Sequence, residues 1–168
     1  MSLGQSPSQT IGPMYGFALY EKGMEHGVDP DDPDAIWIAG RMLDSDGEPI
    51  AYPDALVEIW HGEQFARART DAFGVWQACM KKPTEVQDLA DGRPQAPHLH
   101  VTAWARGLLK QAQTRVYFPD EAEANAADPV LSLVEEGRRD LLIARADGDR
   151  LQFDICLGGE RETPFFTF

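Results

Sequence analysis

The chain has 168 residues, with 28 acidic against 15 basic side chains and a formal charge of −13. Such an acidic balance argues against a nucleic-acid partner, since phosphate binding needs a basic face. A hydrophobic content of 43% argues against disorder. The length fits one domain, residues 1–168, able to bury roughly 68–70% of its unfolded surface.

Residues 1–14 read as an extended N-terminal arm, polar and Gly/Pro-rich from Ser6 to Pro13. Tyr15 to Tyr20 is short and apolar, and His26 to Asp34 is a loop of Asp and Pro. Strands are predicted over 35–42, 55–60, 75–80, 98–105 and 113–118. Asp44-Ser45-Asp46-Gly47 marks a turn. Residues 81–97 hold three prolines and form a long loop. Residues 121–127 are weakly helical. Asp128-Pro129 predicts an N-cap with proline at the first helical position, opening a short helix through Glu136. Residues 141–146 and 151–157 flank Asp147-Gly148-Asp149 as a hairpin, and the tail 165–168 is apolar enough to dock. The sum predicts a mostly β fold, a two-sheet mixed β-sandwich with short helices.

Cys79 and Cys156 lie in apolar runs without metal-ligand spacing, as expected of buried free thiols in a cytoplasmic protein. No apolar stretch reaches 18 residues, so no membrane span is expected. Met1 to Ser8 lacks the charged and apolar regions of a secretory signal.

The residues that carry chemistry are in Ala96-Pro97-His98-Leu99-His100-Val101. On a strand, His98 and His100 point to the same face, half of a four-ligand metal site. Three possibilities stand open for the pair. They are hydrogen-bonded side chains beside a filled pocket, or metal ligands together with Tyr15, Tyr20, Tyr52 or carboxylates. The third is a weak divalent-metal site completed by Glu58 or Glu63.

A set of collinear segments covers nearly the whole chain. They are Ser6 to Pro13, Leu56-Val57-Glu58-Ile59-Trp60, Ala96-Pro97-His98 and Ala105-Arg106-Gly107. Thr114-Arg115-Val116-Tyr117-Phe118 and Asp120 to Asn125 follow, then Asp128 to Leu131, Phe153-Asp154-Ile155 and Glu162 to Phe166. In these the chain resembles the intradiol ring-cleavage dioxygenases. The resemblance implies a sandwich of two β-sheets and ring opening of a catechol-type aromatic substrate by O2. It also implies Fe(III) held by two tyrosines and two histidines, a set of hard donors suited to that ion.

Against that pattern the chain departs at several positions. The iron-ligand tyrosines belong between the Trp60 strand and the His-x-His strand, and residues 61–97 contain no tyrosine. Phe65 falls where the first is expected, and Gln95 stands at the position of an arginine that steadies charge on the substrate ring. The chain is therefore similar to the non-catalytic, alpha-type chains of the family. The resemblance then implies no catalytic residue in this chain, with Fe(III) on a catalytic beta subunit in a hetero-oligomer. Phe65, Gln95 and Arg106 are expected as remnants of a lost site, with Arg106 a fixed cation beside it. Thr10, Gly12, Pro13 and Met14 are expected to line the partner's substrate pocket, Gly12 by close backbone approach and Pro13 by stiffening the arm. Two rivals remain: a self-sufficient iron-dependent catechol-type dioxygenase, and a non-enzymatic β-sandwich binding or assembly module.

Overall fold

The computed structural model describes residues 15–84, 86 and 88–167. A single turn of helix, α1 (Tyr15–Ala18), is followed by six strands: β1 (Ala35–Leu43), β2 (Ala55–His61), β3 (Gln64–Arg69), β4 (Val75–Lys81), β5 (His98–Ala105) and β6 (Ala112–Tyr117). Then come α2 (Ala122–Ala127), two 3-10 segments (Leu131–Leu133 and Glu136–Leu142) and three short strands, β7 (Arg145–Asp147), β8 (Arg150–Gln152) and β9 (Ile155–Cys156).

The strands form two sheets. One runs β4-β1-β8-β7 with β9 also beside β1, and it is mixed because β1 is parallel to both β8 and β9. The other runs β3-β2-β5-β6 and is antiparallel throughout. Period-2 alternation assigns the faces. Ile38, Met42, Trp76, Ala78 and Met80 from the first sheet meet Val57, Ile59, Leu99, Val101, Ala103 and Val116 from the second in one buried core. Gly40 is required on β1, because a Cβ there would collide with the carbonyl of Phe153. Cys79 and Cys156 are buried free thiols.

The expected strands through residue 118 all form, and one was missed. β3 reads Gln-Phe-Ala-Arg-Ala-Arg, with Ala66 and Ala68 inward and the larger side chains outward. Its inward residues are too small to give a hydrophobic signal. The usable cue was Gly62, whose φ of 57° makes Gly62-Glu63 a two-residue hairpin loop between the paired His61 and Gln64.

The C-terminal third differs more. The helix expected from Asp128 to Glu136 is broken, because Val134 is extended (ψ 138°). The Arg139 side chain donates to the carbonyls of Ser132 and Val134, satisfying groups that a continuing helix would use itself. The strand expected at 141–146 begins only at Arg145, and that expected over 151–157 divides into β8 and β9. The tail does dock: the Phe166 N–H donates to the Gln113 carbonyl, and Phe165 packs on the core. Segment 129–142 lies against the outer side of β6, where Ala96, Tyr117, Leu131, Val134 and Leu142 form a second apolar cluster.

Candidate functional site: a histidine pair beside a buried arginine

Alternation on β5 turns Leu99, Val101 and Ala103 into the sandwich and His98, His100, Thr102 and Trp104 onto the outer face. Cross-strand register then decides their neighbours. Phe65, Trp60, His100 and Arg115 stand opposite one another in a row across β3, β2, β5 and β6. His98 faces Tyr117 in the next row. Trp60 stacks on His100 with ring centres 4.1 Å apart, and His98 lies edge-on to His100 at 4.9 Å and to His61 at 6.3 Å.

His98 is 1% exposed. Its Nδ1 is 2.9 Å from the Ala96 carbonyl oxygen. A carbonyl only accepts, so Nδ1 carries the proton and Nε2 keeps its lone pair. Burial, then the Arg115 charge, pushes His98 down to about 4. Burial, then His98 and Arg115, pushes His100 down to about 3. Both rings are neutral at pH 7.

The cation beside them is itself unusual. Arg115 is 6% exposed, and among the described residues no carboxylate lies within ion-pair distance of it. One terminal nitrogen donates to Gln95 Oε1 at 2.8 Å and more weakly to the Tyr117 hydroxyl at 3.4 Å, and Nε has no hydrogen-bond partner. Asp128, joined to Arg115 through the Tyr117 hydroxyl, is committed elsewhere. Its Oδ1 accepts from the Tyr117 hydroxyl (3.0 Å) and from the N–H groups of Val130 (2.9 Å) and Leu131 (2.7 Å). Its Oδ2 accepts from the Ala96 N–H at 2.8 Å. Burial, with the Asp128 charge adding to it against Arg115, pushes the Tyr117 hydroxyl well above the usual tyrosine range, so it stays a phenol.

This donor set does not fit Fe(III). A hard trivalent ion calls for anionic oxygen ligands, whereas the pair offers two neutral imidazoles with a fixed positive charge beside them. Tyr117 gives its proton to Asp128 in a hydrogen bond rather than presenting a phenolate. Glu58 is held by Arg67 (2.9 and 2.7 Å) and Trp104 (3.1 Å). Tyr20 and Tyr52 lie with Arg69 toward the other end of this face, and the Tyr15 side chain is outside the described residues. Among the described residues no three His, Cys, Asp or Glu side chains gather as a metal site.

The residues singled out in the sequence divide accordingly. Phe65, half exposed, and Gln95 lie in this constellation, Gln95 through its bond to Arg115. Arg106 does not. It follows the far end of β5, roughly 20 Å of strand from His100, where it is exposed and pairs with Asp54 at 3.2 Å. The cation beside the histidines is Arg115, which the sequence showed only as part of a strand motif. Thr10, Gly12, Pro13 and Met14 lie outside the described residues.

The two-sheet sandwich with its outward His-x-His strand is an intradiol ring-cleavage dioxygenase fold. It is similar to the dioxygenase domain of a dioxygenase–carbohydrate-binding fusion from Streptomyces sp. SirexAA-E, with a TM-score of 0.58 at 19% identity, covering 91% of this chain and 97% of that one. It is also similar to hydroxyquinol 1,2-dioxygenase from Pseudomonas putida DLL-E4, with a TM-score of 0.56 at 17% identity over 90% and 68% of the two chains. No family model matches the chain. Sequence similarity is nearer: 36% identity to the protocatechuate 3,4-dioxygenase alpha chain of Pseudomonas putida, over 99% of this chain and 98% of that one. The corresponding chain of Burkholderia cepacia is 34% identical over 98% of each. The chain belongs to the family of protocatechuate 3,4-dioxygenase alpha chains.

Proposed function

We propose that this chain is the alpha subunit of a cytoplasmic hetero-oligomer that opens protocatechuate with O2 to 3-carboxy-cis,cis-muconate. The Fe(III) belongs to a beta subunit, and this chain completes that subunit's substrate pocket. The observation that carries the reading is the buried Arg115 beside two neutral histidines and a Tyr117 phenol, where a ferric site would need anionic oxygens. The family match supplies the reaction.

In this reading Thr10, Gly12, Pro13 and Met14 wall the partner's pocket, and Phe65, Gln95 and Arg115 fill the position of a lost site. Support for the arm is its Thr-Ile-Gly-Pro sequence, in which glycine admits close approach of the backbone.

The first experiment is iron analysis and a visible spectrum of this chain purified alone and after co-expression with a beta-type chain. An iron-free, colourless chain that gives a coloured, active complex is expected. A coloured chain with one iron of its own overturns the reading and makes it a self-sufficient dioxygenase. Failure to join any beta-type chain favours an assembly module. In the active complex, Gly12→Val lowers kcat/KM while this chain stays folded; unchanged turnover removes the arm from the pocket.

A further inference from the structure

The two sheets meet along the edges of β3 and β4, and the seal between them is incomplete. Residues 24–27 close one end. There the Arg67 N–H donates to the Met24 carbonyl (2.7 Å), the Cys79 N–H to the Glu25 carbonyl (2.8 Å) and the Gly27 N–H to the Cys79 carbonyl (2.9 Å). The turn after β3 closes the other end, where the Asp71 N–H donates to the Val75 carbonyl at 2.8 Å. Along an antiparallel strand the edge groups repeat their direction every second residue. Arg69 on β3 and Gln77 on β4 therefore turn their N–H and carbonyl groups outward, as Arg67 and Cys79 do. Among the described residues these groups have no backbone partner. A cavity of about 540 Å³ opens at this gap and is lined by both residues. Its volume is in the range of small-molecule sites.

The charged side chains that line the cavity are Arg69, Glu25 and Asp71, one cation and two anions. The Arg69 guanidinium lies 5.1 Å from the centre of the Tyr20 ring and 4.8 Å from that of Tyr52. These contacts hold the group without using its N–H donors, and among the described residues it makes no ion pair. Each carboxylate is anchored through one oxygen. Glu25 Oε2 accepts from the Tyr20 hydroxyl at 2.6 Å and the Gly23 N–H at 2.9 Å. Asp71 Oδ1 accepts from the N–H groups of Phe73 (2.7 Å) and Val75 (2.9 Å). Glu25 Oε1 and Asp71 Oδ2 accept from no other side chain among the described residues. A net negative site on a chain of formal charge −13 repels anions and favours a ligand with an excess of positive charge.

We propose that this cavity binds a free basic α-amino acid of the lysine class. Its carboxylate pairs with Arg69. Its α-ammonium and side-chain ammonium meet the Glu25 and Asp71 carboxylates, so three ligand charges answer three of opposite sign. The methylene chain lies along Tyr52 and Val75, which are partly exposed at the cavity wall.

The test is an NMR titration of the full chain with L-lysine, reading the backbone N–H resonances of Arg69 and Gln77. Saturable movement of both is expected, and added salt weakens it. Arg69→Gln weakens binding about tenfold, the loss of one charge-assisted contact. Asp71→Asn and Glu25→Gln keep an oxygen for the turn and for Tyr20, and each weakens binding about fivefold. Three ligands probe the same contacts without altering the protein. Cadaverine lacks the carboxylate, L-norleucine the side-chain ammonium and Nα-acetyl-L-lysine the α-ammonium; each binds more weakly than L-lysine. Absence of a saturable shift, or binding undiminished in Arg69→Gln, overturns the proposal. L-Glutamate binding as tightly as L-lysine overturns the charge assignment. Nα-acetyl-L-lysine binding as tightly overturns the free amino acid in favour of the C-terminal lysine of a peptide.

Discussion

Two neighbouring rows on the outer face of the four-stranded sheet handle charge in opposite ways. In the row of Arg67, Glu58 and Thr102, the arginine places two nitrogens on Glu58 Oε1 and Trp104 donates to Oε2. In the adjoining row of Phe65, Trp60, His100 and Arg115, the cation meets an amide and a phenol, and its neighbours are kept neutral. A charge that is paired where it sits leaves its neighbours unperturbed. A buried charge without a counter-ion spreads its cost over every titratable group nearby. The second row is therefore where pH response and stability are coupled.

The largest effect expected of a substitution here is at Asp128. Removing its carboxylate in Asp128→Ala strands the Tyr117 hydroxyl and three backbone N–H groups in a buried site. A loss of about 3–5 kcal/mol in urea unfolding is expected. A loss below 1 kcal/mol would mean that this carboxylate does not organise the covering segment 129–142.

Next comes pH. Folded His98 resists protonation down to about 4, while the unfolded chain takes up a proton near 6.5. Stability is therefore full above pH 6.5 and is lost as pH falls from there toward 4. His98 alone contributes roughly 2–3 kcal/mol to that loss. His100, pushed down to about 3, extends the loss further into acid. Denaturation measured from pH 8 to 4 checks this, and His98→Gln flattens the profile by its share. An unchanged profile would show that the ring is not held neutral.

The smallest effects set the two rows against each other. Glu58→Gln weakens the pairing of Arg67 and is expected to cost about 1 kcal/mol, since the pair is only partly buried. Arg115→Met removes a buried cation that has no anion among the described residues, and stability is expected to stay within about 1 kcal/mol of the parent. The same variant raises the titration of His98 and His100, because Arg115 lowers both. Histidine NMR reads this directly. A large loss of stability in Arg115→Met, with the histidines unmoved, would erase the contrast.

Much of the fold was legible because its strands alternate strongly. Residues 55–60 and 98–105 turn Val57, Ile59, Leu99 and Val101 to one face and set Glu58, His98, His100 and Thr102 on the other, and both formed as expected. β3 was not legible because its inward residues are alanines, and β8 and β9 were merged because the break between them falls inside an apolar run. The site was legible in part. Phe65 and Gln95 were placed by sequence position and lie in the constellation. Arg106 was placed by a motif, and it follows the end of β5 opposite the histidines, paired with Asp54.

The sequence alone determined that His98 and His100 share a face, because strand periodicity is a local property. It also determined that no tyrosine lies between residues 61 and 97. Only the tertiary structure decided which cation faces the pair, since Arg115 reaches His100 through the register of β5 with β6. It also decided that the histidines are neutral and that Tyr117 is a phenol. The histidines are held neutral by burial and Arg115, and the Tyr117 phenol by burial and Asp128, which lies 28 residues beyond His100. Electrostatic environment is set by distance through the folded protein, and spacing along the chain does not encode it.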